Sequence, residues 1–186
     1  MFESINSSPS QTRAEISDIA TAIYSGVDAT ILSAESALGQ YPFEAVSIMS
    51  RTVAHVVSEP YYQRWLGDDT KRTTIDPISS ALKDAAKYSC ATTIVLFTDN
   101  FQSIVRITRL LPRIPVFPGT SLVRIANKSG LCYGVYTVHE NIFENKEFNT
   151  SVISKAAKDI VKEHKFAKVG DNIVALNDQS EKDTFK

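Results

Sequence analysis

From Asp76 onward the sequence switches repeatedly between segments of helical periodicity and short, unbroken apolar runs. An apolar run without polar alternation is a strand with no solvent-facing side, and such strands belong to parallel sheets covered on both faces. Asp76-Pro77 predicts a helix start, cap then first-turn proline, with Ile78, Ala81, Leu82, Ala85 and Ala86 on one side. Thr92 to Phe97 reads as a strand, and Phe101 to Leu111 as a helix with Ile104, Val105, Thr108 and Leu111 aligned. Ile114 to Phe117 reads as a strand between prolines, Ser121 to Lys128 as a helix closing at Gly130, and Tyr133 to Val138 as a strand. Asn149 or Thr150 caps a helix through His164, Asn172 to Leu176 is a further strand, and the polar tail from Asn177 reads as frayed. Residues 75–178 are therefore expected to form a doubly wound, mainly parallel α/β domain, with 179–186 a loose end.

The first third reads differently. Thr12-Arg13-Ala14-Glu15 is a capping box, followed by Ile16, Ile19, Ala20 and Ile23 at helical spacing and closed by Ser25-Gly26. Ala29 to Leu32 is short, apolar and strand-like, Ser33 to Gln40 is a polar loop, and Pro42 opens a second helix. Ala45, Val46, Met49, Val53, Val56 and Val57 form its stripe. Residues 59–74 shift in composition and read as a linker anchored by Tyr61, Tyr62 and Trp65.

The 186 residues carry a net charge of -1, so no basic excess points to nucleic acid or an anionic membrane face. No apolar run approaches a membrane span, and Met1 to Gln11 lacks the charged and apolar regions of a secretory signal, so a cytoplasmic protein is expected. Cys90 and Cys132 lie far apart and read as small apolar core residues in a reducing compartment, with one bridge between them compatible with the sequence. His55, His139 and His164 are scattered, and no zinc, HExxH or Walker spacing occurs. Lys155, Lys158, Lys162 and Lys165, interleaved with Asp159 and Glu163, read as a solvated helix face.

Two spaced motifs carry a family likeness. Gln11 to Ala20 reads QTRAEISDIA, Gly26 to Ala29 reads GVDA, and Leu32 to Val46 reads LSAESALGQYPFEAV. This pattern resembles pyruvate kinase over the last two units of its barrel, and the remainder resembles that family's C-terminal domain in the order and length of its elements. The resemblance implies a partial TIM-barrel end at residues 1–58, with two helices and one strand, ahead of the C-terminal domain. It also implies phosphoryl transfer from phosphoenolpyruvate to ADP in glycolysis, with Mg²⁺ and K⁺, and assembly as a homo-oligomer or with the missing barrel portion. By motif match Thr12 is a substrate-contacting threonine, and Ser33 and Glu35 follow the last barrel strand where the active site lies. Thr98 and Ser103 fall in the loop where regulated members hold a sugar-phosphate effector. Read without the resemblance, Thr12 is a helix cap, and Ser33–Ser36 and Thr98–Ser103 are polar turns.

The chain departs from the family pattern at several positions. Gln11 stands where proline is usual, Ala34 and Ser36 where the family has glycine and threonine, and Leu38 where it has lysine. Asp99 brings a negative charge into the effector loop. The resemblance places the family's catalytic lysine, its phosphate-binding arginine and its metal ligands upstream of the matched region. The reading is thus a truncated pyruvate kinase, with a non-catalytic phosphate-binding or oligomerisation module as the alternative. With one barrel strand and two open edges, residues 1–58 are expected to be loosely held or covered by a partner, whereas the C-terminal domain is expected to fold by itself.

Overall fold

The computed structural model describes residues 2–65, 77–110, 114–139 and 149–178. The Asp76 cap, the rest of the expected linker, the end of the Phe101–Leu111 helix and the tail 179–186 lie outside the described residues. The chain divides into two compact units, Met1–Asp68 and Asp69–Lys186.

The first unit opens with a 3-10 turn, Glu3–Asn6, whose Ile5 is fully buried together with the preceding Phe2. Helix α1 (Arg13–Tyr24) starts at the expected capping box, with Thr12 accepting from the Glu15 amide. It ends in a Schellman turn: Gly26 takes φ +83°, its amide bonds Ile23, and the Val27 amide reaches back to Ala22. Ile19 and Ile23 are buried. A short helix α2 (Ala34–Ala37) replaces the expected polar loop. Gly39 follows because a Cβ there would stand 2.7 Å from the Glu35 carbonyl oxygen. Helix α3 (Pro42–Ser58) has its proline in the first turn and buries Ala45, Ile48, Met49 and Val56, while Val46 from the expected stripe is exposed. Part of the expected linker is helical, as α4 (Pro60–Trp65), and Tyr62 is buried with its ring edge-on to Tyr24 at 5.8 Å.

The Ala29–Leu32 run belongs to no ladder among the described residues. The apolar character of this run is right for a barrel strand, but a strand needs a neighbour before its amides and carbonyls can pair.

The second unit is a four-stranded parallel sheet in the order β3-β2-β1-β4. Strand β1 (Thr93–Phe97) lies between β2 (Val116–Thr120) and β4 (Ile173–Asn177), and every residue of β1 is buried. Its side chains alternate between two cores. Ile94 and Leu96 join Leu82 and Ala86 of α5 (Pro77–Tyr88), Ile104 and Ile107 of α6 (Phe101–Thr108) and Ile125 of α7 (Val123–Ser129). Val95 and Phe97 join Phe117 and, from α8 (Thr150–Glu163), Ala157, Ile160 and Val161. Helices on both faces bury every β1 position, Thr93 included, so Ile94–Phe97 is a continuous apolar run.

Strand β2 runs through Pro118 instead of stopping before it. Val116 donates to the Gly134 carbonyl, so on β2 the amides facing the β3 side alternate from Val116 and the missing Pro118 N–H falls on that side. Pairing there is interrupted between an isolated Val116–Val135 bridge and the short β3 (Val138–His139). The expected strand Tyr133–Val138 is cut down accordingly.

On α5 the buried set is Ser79, Leu82 and Ala86, and Ile78, Ala81 and Ala85 of the expected stripe are exposed. The lysines of α8 face solvent as expected. The cysteines depart from expectation: both are free, Cys132 is half-buried, and Cys90 is exposed with φ +51°. Cys90 sits at the C′ position of a Schellman turn, since its amide bonds Lys87 and the Ala91 amide bonds Ala86. A left-handed residue with a Cβ is strained, so Cys90→Gly is expected to stabilise this unit by about 0.5–1 kcal/mol. A rise of the melting temperature in calorimetry checks it, and an unchanged or lower value would refute it.

Candidate functional site

Thr12 and the Ser33–Glu35 turn are joined through the N-terminal 3-10 turn. Glu15 is the hub at one end. Its carboxylate accepts from the Thr12 amide (2.8 Å), the Thr12 hydroxyl (2.9 Å), the Ser4 amide (2.8 Å) and the Ser4 hydroxyl (2.5 Å). Burial works against the charge, but the Ser4 and Thr12 hydrogen bonds outweigh it and bring the Glu15 pKa down from 4.5 to about 2. The capping box was legible, whereas its second client, Ser4, eleven residues earlier, had no local signal.

Glu35 is the hub at the other end. It is 5% exposed and accepts from the Phe2 amide at 2.9 Å and the Ser33 amide at 2.8 Å. The Phe2 amide is the largest cause of a pKa lowered from 4.5 to about 2. Two carboxylates thus clamp residues 2–4, and the Gln40 amide bonds the Asn6 carbonyl at 3.2 Å. The Thr12 hydroxyl both donates to and accepts from Glu15, while Ser33 is exposed.

In the second unit Thr98 and Ser103 lie beyond the carboxyl end of β1, beside the place where strand order reverses between β1 and β4. Both are buried. The Thr98 hydroxyl accepts from the Asn100 amide at 3.0 Å, and Asn100 caps α6 through the Gln102 amide. Asp99 is turned onto the end of β2, accepting from the Thr120 hydroxyl (2.6 Å) and from the Ser121 amide (2.8 Å) and hydroxyl (2.5 Å). Burial raises the Asp99 pKa, and the Ser121 and Thr120 bonds more than reverse that, leaving it below the usual carboxylate value. Its partners are 21 and 22 residues away, so this anchor was not visible locally.

No group of three or more His, Cys, Asp or Glu that could hold a metal occurs among the described residues. The two carboxylates nearest the motif threonine and serine are already filled by amide and hydroxyl donors. These residues therefore do not fit the Mg²⁺ and K⁺ that the resemblance implies. No helix among the described residues is long and apolar enough to cross a membrane.

The fold is that of an α/β protein: a doubly wound, mostly parallel sheet preceded by the end of a barrel. The pyruvate kinase barrel-domain family model matches residues 1–46, and the pyruvate kinase alpha/beta-domain model matches residues 76–185. The chain belongs to the pyruvate kinase family. It is 33% identical to a pyruvate kinase of Agrobacterium vitis over 95% of this chain and 36% of that relative. With a pyruvate kinase of Clostridium acetobutylicum the identity is 32% over 94% of this chain and 37% of the relative. The crystal structure of a Cryptosporidium parvum pyruvate kinase superposes with a TM-score of 0.77 at 27% identity, covering 94% of this chain and 36% of that one. The chain thus spans about a third of the length of these relatives.

Proposed function

We propose that this chain supplies the C-terminal part of a pyruvate kinase, acting in phosphoryl transfer from phosphoenolpyruvate to ADP in the cytoplasm only when the rest of the barrel is present. The observation that carries this reading is the pair of family matches, barrel then α/β domain, in family order along one chain. Residues 1–58 are read as the barrel fragment and 75–178 as the C-terminal domain, with an oligomer as the working assembly.

Phosphoryl transfer depends on positioning and on neutralising the charge of the transferring group. Thr12, Ser33 and Glu35 carry no positive charge among them. On this reading they shape one side of the pocket, while the cations and the metal-binding residues come from the remainder of the barrel.

A coupled assay with phosphoenolpyruvate, ADP, Mg²⁺ and K⁺ tests this. The purified chain alone is expected to give no pyruvate above the blank. Joined to the unmatched N-terminal portion of the Agrobacterium vitis enzyme, it is expected to turn over. Activity of the chain alone would overturn its dependence on the barrel, and a folded but inactive chimera would overturn the catalytic reading.

A further inference from the structure

At the exit of β2 three hydrogen-bond donors converge on one spot, and the chain fills that spot with its own carboxylate. The donors on Asp99 are the Thr120 hydroxyl (2.6 Å), the Ser121 amide (2.8 Å) and the Ser121 hydroxyl (2.5 Å). The cradle is held in place by contacts other than those to Asp99. The Thr120 side chain is fully buried, and its oxygen accepts from the Leu122 amide at 3.2 Å, which leaves its proton for Asp99. Thr120 pairs with His139 on β3, the Thr98 amide bonds the Gly119 carbonyl, and His139 Nε2 bonds the Ser121 carbonyl at 3.1 Å. An amide and two hydroxyls aimed at one point match an oxyanion. They are neutral, yet they hold Asp99 below the usual carboxylate pKa against the opposing effect of burial.

We propose that Asp99 is a tethered anion that keeps this cradle closed, and that a free tetrahedral oxyanion of the phosphate class enters it once Asp99 is withdrawn. The contact is autoinhibitory and is built into the turn between β1 and α6. Because the carboxylate is part of the same chain, it occupies the cradle at a high effective concentration, which dilute free phosphate does not match. Without it, the Thr120 hydroxyl would be buried with its proton unpaired, and the free energy lost by that donor is recovered when an anion binds. Asp99 and Ser121 are both half-buried, so solvent and a small anion reach the cradle from the Asp99 side. The inference stands apart from the catalytic reading, since no residue of the first unit enters it.

The test titrates the full chain with inorganic phosphate at constant ionic strength, with chloride as the control anion, and follows the Ser121 and Leu122 amides by NMR. Asp99→Ala is expected to bind phosphate at least tenfold more tightly than the parent, with saturable shifts of both amides. Adding Ser121→Ala to Asp99→Ala is expected to lose that gain, because it removes one of the three donors. Asp99→Asn fills the cradle without the charge and is expected to stay closed. If Asp99→Ala lacks the dispersed spectrum of a folded unit, Asp99→Ser, which is too short to fill the cradle, takes its place with the same expected gain. A parent that binds phosphate as tightly as the shortened variant would overturn the proposal. So would a folded shortened variant that takes up no phosphate, which would mean that water alone satisfies the donors. Binding by Asp99→Asn as tight as by Asp99→Ala would show that charge alone excludes anions, and the occupancy argument would fall.

Discussion

Phe97→Ala is expected to destabilise the α/β unit by about 3–5 kcal/mol, the range for removing a fully buried aromatic ring without collapse of the site. Phe97 ends the central strand β1 and is completely buried. It stands between Gly119 of β2 and Asn177 of β4, and it packs in the same core as Phe117 and Val161. Gly119 has no side chain to move into the vacated space. The carbonyl of Phe97 also accepts from the Asp178 amide at 2.9 Å, which holds the exit of β4 beside the Thr98 turn. Loss of the ring is therefore expected to loosen the β1 and β4 exits together. Peptide-resolved hydrogen exchange in urea reads this directly: amides of β1, β2 and β4 should lose protection while those of α1 and α3 do not. Equal loss in both units would show that they unfold as one body and would contradict independent folding of the second. A cost below about 1 kcal/mol would mean that the core closes over the gap.

What could be read from the sequence follows the range of the forces involved. The capping box at Thr12, the proline at the start of α3 and the asparagine cap of α8 act within three residues and leave local signatures. The apolar run Ile94–Phe97 of β1 announced a sheet covered on both faces because burial on two sides removes alternation. Gly26 marked the end of α1 and the end of α8 at His164 was read without a glycine, whereas Cys90 takes the same left-handed turn with an ordinary side chain and, exposed there, was misread as core. Pro118 misled in the opposite sense, because a proline is tolerated inside β2 where the neighbouring ladder is already broken. At the candidate site, residue types pointed to Thr12, Ser33 and Glu35 through their motifs. Their partners did not show, since Phe2 meets Glu35 across 33 positions and Asp99 meets Ser121 across 22. Long-range hydrogen bonds of this kind follow the chain path, which no local pattern encodes.

The clamp on the N-terminal turn should make the first unit acid-labile within a defined window. Glu35 titrates at 4.5 when unperturbed and at about 2 in the folded chain, chiefly because its carboxylate accepts from the Phe2 amide. A depressed folded value means that the unfolded chain binds more protons between these limits, so stability falls as pH falls. The contribution is whole above pH 4.5 and is lost as the pH drops toward 2. For Glu35 it is on the order of 2 kcal/mol, less than the full shift implies because solvent screens part of it. Glu15 acts in the same direction and over the same range. Glu35→Gln should thus cost about 1–3 kcal/mol at pH 7, because an amide nitrogen must then face the Ser33 or Phe2 N–H. The same change should flatten, without abolishing, the loss of first-unit protection between pH 5 and pH 2, since Glu15 still titrates. Phe2 and Ile5 should become the first buried residues to exchange, as they sit in the turn that the two carboxylates hold. A variant as stable as the parent at pH 7, with the same acid profile, would mean that apolar burial of Phe2 and Ile5 alone seats the turn.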